Sequence, residues 1–127
     1  MRKAISAVVI KDGRILLVKK NQTWILPGGK PRGGESDVEC LCREFKEELP
    51  ETKIEVGEFY HQFIGKTPHK GDILENLVYF ANLEGNTDKT AREIRESGWF
   101  YYQTSCGFNL SDITRKILES LENRGYL

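Results

Sequence analysis

Apolar positions near the start of the chain come in short runs that favour β-strands. One run occupies residues 5–10, and a second occupies residues 15–18. The turn sequence between them, residues 11–14, contains Asp-Gly, and two apolar runs joined in this way predict a β-hairpin. A third short strand is predicted at residues 24–26, and the glycine-rich segment 28–34 that follows is predicted to be a loop.

A helix is predicted to begin next to Ser36. Ser36 can cap the helix, and Glu39 stands three residues later, as in a capping box. Apolar residues then recur at helical spacing on one face, and Pro50 ends the pattern. This apolar stripe consists of Val38, Leu41, Cys42, Phe45 and Leu49.

The second half of the chain repeats the order of strands followed by a helix. Two or three strands are predicted between residues 53 and 81, and another at 99–102 after a polar loop at 85–90. Ser111 can cap a final amphipathic helix with Ile113, Ile117 and Leu121 on one face, which Gly125 ends. The order strands, helix, strands, helix predicts an α+β or α/β sandwich with a mixed β-sheet.

Composition narrows the classes of protein that fit this pattern. The 127 residues suit one domain, and 19 basic residues balance 19 acidic ones, which argues against a strongly basic protein that binds nucleic acid polymers. No apolar run is long enough to span a membrane, and no signal-peptide cleavage site follows the N-terminus. The cysteines, Cys40, Cys42 and Cys106, form no paired framework, so we expect reduced thiols in a cytoplasmic protein.

The chemistry of the first helix lies in its acidic residues. Glu44, Glu47 and Glu48 stand at positions i, i+3 and i+4, within about 100° of one another and broadly opposite the apolar stripe. Like charges at these spacings repel by about 0.2–0.5 kcal/mol per pair. A solvated polar face is one interpretation, and a site for a hard divalent cation such as Mg²⁺ is the other.

The loop before the helix contains glycines at 28, 29, 33 and 34. Such a loop can be a simple turn between strand and helix, or it can bring backbone groups close to a ligand. Its position beside the acidic helix favours the second interpretation.

These residues resemble the Nudix box, whose pattern is G-x5-E-x7-R-E-U-x-E-E-x-G-U with U a bulky aliphatic residue. Gly29 and Glu35 fall at the required spacing, as do the residues that begin with Arg43 and continue Glu-Phe-Lys-Glu-Glu. The segment Trp-Ile-Leu-Pro-Gly-Gly before the box is also similar to the family. At the end of the box, Pro50 and Glu51 replace the usual glycine and aliphatic residue, so we expect a different exit turn with the carboxylates retained.

The resemblance implies a Nudix-type α/β/α sandwich with a mixed sheet, occupying residues 1–127 as one domain with the box at about 29–51. It implies a hydrolase that cleaves the diphosphate linkage of a nucleoside diphosphate derivative with Mg²⁺, or with Mn²⁺ as an alternative cofactor. The expected partner is a small nucleotide rather than a nucleic acid polymer or a membrane, and the protein is expected to be a monomer or a homodimer.

The resemblance also implies roles for particular residues. Glu47 and Glu48, together with the backbone carbonyl of Gly28, are expected to bind metal. Glu44 is expected to bind a second metal ion or to accept the proton of the attacking water. Arg43 belongs to the same catalytic group and is expected to pair with Glu35, so that the loop is fixed to the helix; Gly29 and Glu35 are structural parts of the box.

An additional carboxylate often lies before a late tryptophan in this family. Here Glu93 and Glu96 precede Trp99, and each is either an extra ligand or base or part of an ordinary charged loop. Glu96 is the favoured candidate because the neighbouring Ser97 and Gly98 suggest a hinge. The isolated histidines, His61 and His69, are expected to be surface or hydrogen-bonded residues.

Two alternatives to a hydrolase stay open at this stage. One is a Nudix-like sensor that binds a nucleotide without cleaving it, and the other is a structural module whose acidic helix binds cations incidentally. The sequence also leaves the substrate open among ADP-ribose, ordinary or oxidised nucleoside triphosphates, dinucleoside polyphosphates and nucleotide sugars.

Overall fold

The computed structural model describes residues 2–67 and 70–127. The strands in this part of the chain are β1 (Arg2–Val8), β2 (Ile10–Lys11), β3 (Arg14–Lys20), β4 (Thr23–Ile25), β5 (Gly28–Gly29), β6 (Thr52–Lys66), β7 (Ile73–Gly85) and β8 (Ile94–Phe100). The helices are α1 (Asp37–Glu48), α2 (Tyr102–Ser105) and α3 (Asp112–Asn123).

The strands form two sheets. The first has the order β5-β1-β7-β6, in which β1 and β7 are parallel while the two outer pairings are antiparallel. In the second, β3 pairs antiparallel with β2, β4 and β8. The predicted mixed sheet is therefore confirmed.

Strand β3 is buried on both of its faces because helices cover both sides of the sheets. Its side chains alternate, so Leu16 and Val18 join a core with α1, whereas Ile15 and Leu17 join a second core with α3. A strand covered on both faces reads as a continuous apolar run, which is why residues 15–18 contain no polar position. The layers are helix, sheet and helix, as the α/β/α expectation required.

The predicted hairpin and both predicted long helices are present. Lys11 pairs with Arg14 across a turn in which Asp12 and Gly13 have positive φ. Ser36 and Glu39 form the capping box at the start of α1, with their side chains bonded to each other's backbone N–H. Ser111 caps α3 through the backbone N–H of Thr114.

The exit from α1 replaces the usual glycine turn by a different arrangement. The helix ends at Glu48 with Leu49 as its C-cap, and residues 50–51 form a turn. The carbonyl of Leu49 accepts hydrogen bonds from the Oγ1 of Thr52 at 2.7 Å and from its backbone N–H at 3.1 Å. The different exit turn expected from Pro50 is thus present, and Thr52 stabilises it.

The strand boundaries predicted around two turns were wrong. Residues 28–34 are not a loop throughout, because Gly28 and Gly29 pair with β1 as strand β5. The late strand runs over residues 94–100 rather than 99–102, and Tyr102 begins α2 instead. Pairing with β3 sets the bounds of β8, because the backbone of β3 is available as far as Lys20, which lies opposite Ile94.

The buried face of α1 also differs from the predicted apolar stripe. Val38 is 47% exposed and Cys42 is exposed, whereas Cys40 and Glu48 are buried with Leu41 and Phe45. The helix is rotated relative to its apolar stripe because its inner face packs on the sheet beside β5. The carboxylate face was expected to lie opposite the core. In the structure it adjoins the core instead.

Two long strands, β6 and β7, account for the strands predicted between residues 53 and 81. Pro68 and His69 lie between them, outside the described residues, so the expectation for His69 falls outside the description as well. His61 is exposed and its Nδ1 accepts the backbone N–H of Gln62 at 2.8 Å, as expected for a surface histidine. Within the described residues no helix is long and apolar enough to cross a membrane.

Replacing Gly28 by alanine should destabilise the fold. Gly28 has φ +146°, and an added Cβ would collide with the backbone carbonyl oxygen of Ile5. We expect Gly28→Ala to lower the free energy of unfolding by about 2 kcal/mol or more. Gly33 is the matched control, since a Cβ there meets no atom within 4 Å; Gly33→Ala should be neutral or stabilising. Equal urea midpoints for the two variants would contradict the strained pairing of β5.

Candidate active site

Helix α1 is fixed at its N-terminus by more than its capping box. The Tyr79 hydroxyl, from β7, donates a hydrogen bond of 2.5 Å to Oδ2 of Asp37 in the first turn. Burial and the carboxylate of Asp37 raise the pKa of Tyr79 to about 12. This bond ties the acidic helix to the central strand of the first sheet.

Strand β5 brings backbone atoms next to the acidic face of α1. Gly28 pairs with Ser6 and Gly29 pairs with Ile5, and both partners belong to β1. A Cβ on Gly29 would lie 2.6 Å from Oε1 of Glu44. A side chain at position 29 would therefore displace the Glu44 carboxylate from its place beside the backbone of β5.

Arg43 links the glycine-rich segment to the carboxylates of the helix. Its Nε and Nη2 donate to the two carboxylate oxygens of Glu35 at 2.6 and 3.0 Å. Nη2 also donates to the carbonyl of Lys30 at 3.0 Å, and Nη1 donates to Glu44 at 2.9 Å and to Glu47 at 3.0 Å. One guanidinium thus positions three carboxylates and one loop carbonyl.

The ion pair predicted between Arg43 and Glu35 is present, and both side chains are mostly buried. The bidentate hydrogen bond from Arg43 and the backbone N–H of Arg32 lower the pKa of Glu35 to about 2. The same carboxylates raise the pKa of Arg43. Both groups are therefore charged at neutral pH.

Glu47 is surrounded by positive charge. In addition to Arg43, the guanidinium of Arg32 lies 3.6 Å from Oε2 of Glu47, and that of Arg92 lies 4.0 Å away. Both of these arginine side chains are exposed, so each exposed contact stabilises the fold only weakly.

Glu48 is the most unusual group on the helix. Only 4% of it is exposed, and its Oε1 has no hydrogen-bond partner among the described residues. Burial, followed by the nearby carboxylates of Glu44 and Glu93, raises the pKa of Glu48 to about 8. A buried carboxyl group without a complete set of partners is costly, and such groups concentrate at functional sites.

The acidic residues do not form a closed cluster. Among residues 2–67 and 70–127, no three His, Cys, Asp or Glu side chains converge closely enough to hold a metal ion. Glu44 adjoins Glu48, whereas Glu47 is held by arginines. The unpartnered oxygen of Glu48 and its carboxylate neighbours nevertheless fit a divalent cation, because a cation would supply the missing partner for that oxygen.

The two late carboxylates lie in different places, and their surroundings favour Glu93 over Glu96 as a neighbour of the acidic helix. Glu96 is in strand β8 opposite Lys19, is 59% exposed, and pairs with the Lys19 Nζ at 3.3 Å. The expected hinge is also absent, since Ser97 and Gly98 pair with β3 and the Ser97 hydroxyl donates to the carbonyl of Thr87. Sheet pairing therefore removes the freedom that the Ser-Gly sequence suggested.

Glu93, by contrast, lies close enough to raise the pKa of Glu48. It pairs with Lys20 at 3.6 Å, and its loop is attached to the end of α1 by the backbone N–H of Ala91, which donates to the carbonyl of Glu48 at 3.0 Å. The structure thus brings Glu93, rather than Glu96, to the acidic helix.

A cavity of about 620 Å³ opens beside these residues. Gly28, Gly29 and Glu48 line one part of it, together with Lys20 and Lys30. This volume is in the range of small-molecule sites. The cavity therefore joins backbone groups, a buried carboxyl group and two cations in one place.

Sequence patterns did not indicate the remainder of the cavity wall. Asn76, on β7, lines the cavity and is buried, and its Oδ1 has no hydrogen-bond partner among the described residues. A single asparagine within a strand matches no sequence motif, and the neighbouring Glu75 makes its polarity equally uninformative. Burial raises the pKa of the Cys40 thiol to about 11, which disfavours the reactive thiolate form.

Comparisons with known proteins cover most of the chain. A NUDIX domain family model matches residues 1–116. An ADP-ribose pyrophosphatase of Methanocaldococcus jannaschii is 28% identical over 105 residues, which cover 76% of this chain and 60% of that protein. The match thus spans less than two thirds of the length of this curated relative.

Solved structures share the fold over almost the whole chain. A MutT NUDIX hydrolase from Burkholderia pseudomallei superposes with a TM-score of 0.76 and 27% identity, covering 93% of this chain and 95% of that one. The E. coli ORF135 protein superposes with a TM-score of 0.78 and 23% identity, covering 99% and 92%. The latter similarity concerns the fold alone.

The two perturbed carboxyl groups should affect stability in different pH ranges. The pKa of Glu48 in the folded protein, about 8, exceeds its ordinary value of 4.5. Between these values the unfolded chain releases a proton that the folded protein keeps, so stability should fall as pH rises from 4.5 to 8. At about 1.4 kcal/mol per pKa unit, the fall amounts to ~2–4 kcal/mol after allowance for coupling between the carboxylates.

Urea titrations in EDTA over this range check the expectation, with Glu48→Gln as the test variant. The variant should lack the fall and exceed the parent in stability at pH 8. Glu35 acts in the opposite sense at lower pH: its depressed pKa contributes stability above pH 4.5 that is lost as pH falls toward 2. An unchanged slope in Glu48→Gln between pH 5 and 8 would show that another group is responsible.

Proposed function

The chain belongs to the NUDIX family, and on that premise we propose that it hydrolyses the diphosphate linkage of a nucleoside diphosphate derivative with the help of a divalent cation. The observation that supports the proposal most directly is the buried Glu48, whose Oε1 lacks a partner at the wall of the cavity. A folded protein gains nothing in stability from such a group, but a diphosphate hydrolase needs concentrated negative charge for its cation.

The residues that would hold the cation are Glu48 and Glu44, with Glu47 and the backbone carbonyl of Gly28 as further ligands. Bound by these residues, Mg²⁺ or Mn²⁺ would neutralise charge on the diphosphate and would lower the pKa of water, so that a nucleophile could form near neutral pH. Such reactions depend on positioning and electrostatics rather than on covalent intermediates.

The other steps belong to the side chains of the protein. Lys20 and Lys30 line the cavity and can bind phosphate oxygens. Arg43 positions the carboxylates, since its Nη1 holds Glu44 and Glu47 together. Glu44 lies against the backbone of Gly29 with its Oε1 held by Arg43, and its second carboxylate oxygen is the one we assign to accept the proton of the attacking water.

A nucleotide sensor without hydrolysis is the second candidate function. A sensor does not need the unfavourable burial of Glu48, and it would be expected to have lost one or more of the carboxylates at positions 44, 47 and 48. Their retention in this chain favours hydrolysis, and the assays below separate the two functions.

The substrate that we propose first is ADP-ribose, because the relative from M. jannaschii is an ADP-ribose pyrophosphatase. Nucleoside triphosphates, dinucleoside polyphosphates and nucleotide sugars belong in the same panel of substrates. We further propose that residues 1–127 form one domain, that it acts in the cytoplasm as a monomer or homodimer, and that its partners are small nucleotides rather than nucleic acid polymers.

Hydrolysis should depend on metal and on Glu48. We expect phosphate-containing products from at least one member of the panel with Mg²⁺ and none in EDTA. Glu48→Gln should lower kcat/KM by about 100-fold or more, because a ligand is lost while the fold is retained. Glu51→Gln, an exposed carboxylate just beyond the helix, is the control and should keep parental activity. Binding of a nucleotide without turnover by the parent protein would favour the sensor instead.

Glu93 should contribute to catalysis, and Glu96 should not. Because Glu93 lies near Glu48 and Glu96 pairs with Lys19 on the exposed strand, Glu93→Gln should lower kcat about tenfold, whereas Glu96→Gln should stay within twofold of the parent. Steady-state kinetics at saturating Mg²⁺ across pH 6–9 measure the difference. A larger loss in Glu96→Gln would restore the hinge interpretation, and full activity in both would confine the chemistry to α1.

A further inference from the structure

The cavity contains a second polar group that the proposed hydrolysis does not use. Asn76 is 5% exposed, it lines the cavity, and its Oδ1 has no hydrogen-bond partner in the described part of the chain. An unpaired polar atom that is buried in this way destabilises the folded protein. A ligand that donates a hydrogen bond to Oδ1 would offset that cost.

The register of the sheet places Asn76 away from the diphosphate end. Ser6 pairs with Gly28 on one side and with Val78 on the other, whereas Asn76 pairs with Ala4. Asn76 is therefore two strands away from Gly28 and two residues further along. With strands 4.8 Å apart and 3.3 Å per residue, the two positions are about 12 Å apart, which a nucleoside attached to a diphosphate can span.

The surroundings of Asn76 suit the flat face of a base. Ala4 and Leu74 lie on the sheet side of the cavity, and Ile113 lies on the side of α3. Within the described residues the cavity wall includes no aromatic side chain. The fit of a base would thus depend on aliphatic packing against its faces and on polar contact at its edge.

We propose that Asn76 determines base specificity by contacting the edge of adenine. A carboxamide offers one acceptor and one donor side by side, and this pair matches the amine and ring nitrogen of adenine. Asn76 Oδ1 accepts from the N6 amine, and Nδ2 donates to the adjacent ring nitrogen. The proposal rests on the proposed function in naming an adenine nucleotide as the substrate class.

A structural role and a ligand-binding role for Asn76 predict opposite effects of its replacement on thermal stability. If the amide stabilised the fold, its replacement by an apolar residue of similar size would destabilise the protein. If the amide instead forms its hydrogen bonds only with a bound ligand, Asn76→Leu should leave the thermal midpoint unchanged or raise it, because a buried unsatisfied group has been removed. Thermal unfolding without ligand therefore precedes the binding measurements.

The test compares binding of AMP and IMP, because IMP has an acceptor oxygen in place of the adenine amine and carries a proton on the neighbouring ring nitrogen N1. Titration calorimetry with these monophosphates needs no hydrolysis, so its result is independent of the proposed reaction. The parent protein should bind AMP about tenfold or more tightly than IMP. Asn76→Leu should bind AMP about tenfold more weakly and lose the preference.

Two further variants isolate the amide. Asn76→Asp keeps the acceptor and should keep a preference for AMP over IMP, even if both bind more weakly. Asn82→Leu, an exposed asparagine on the same strand, is the control and should bind as the parent does. The proposal is overturned if Asn76→Leu keeps the parental ratio, if the parent does not distinguish the two nucleotides, or if it binds CMP more tightly than AMP.

Discussion

The arrangement of the site depends on the hydrogen bonds of one guanidinium. Arg43 joins Glu35 and the Lys30 carbonyl in the segment before α1 to Glu44 and Glu47 on the helix itself. Without this cation the three carboxylates would repel one another, and the segment between β5 and α1 would have no fixed position over the helix. The planar, permanently charged fork suits this task in a way that lysine would not, because several acceptors must be held in one geometry.

Positive and negative charges are balanced around Arg43, whereas the carboxyl group of Glu48 has other carboxylates as its neighbours. The arginines neutralise Glu35 and Glu47, whereas Glu48 faces the core and the carboxylates of Glu44 and Glu93. Stability is thereby lost at a position where the proposed chemistry requires charge, a common relation between stability and activity. Helix α1 therefore carries both the unfavourable burial of Glu48 and the charge that the proposed chemistry needs. Its other buried side chains, such as Leu41 and Phe45, anchor the helix to the sheet.

Much of the fold could be predicted from local patterns. Interactions within a few residues of the chain determine the hairpin at Asp12 and Gly13. They also determine the two amphipathic helices, with the capping box at Ser36 and the N-cap at Ser111. The short strand β5 and the boundaries of β8 could not be predicted in this way. Gly28 becomes a strand because β1 offers it a partner, and the residues from Ile94 onward become one because β3 does.

The sequence by itself determined the residues of the box and the shared face of its helical carboxylates, because that face depends on helical periodicity. The pairing of Arg43 with Glu35 is implied by the resemblance to the Nudix box, and the structure contains it. The tertiary structure alone decided which carboxylate is buried, since the rotation of α1 against β5 turns Glu48 and Cys40 inward and leaves Val38 exposed. It also removed the hinge predicted beside Glu96, through strand pairing that fixes Ser97 and Gly98. Asn76 reaches the cavity for the same reason: β1 and β7 are far apart in the chain, and only their parallel pairing places its amide there.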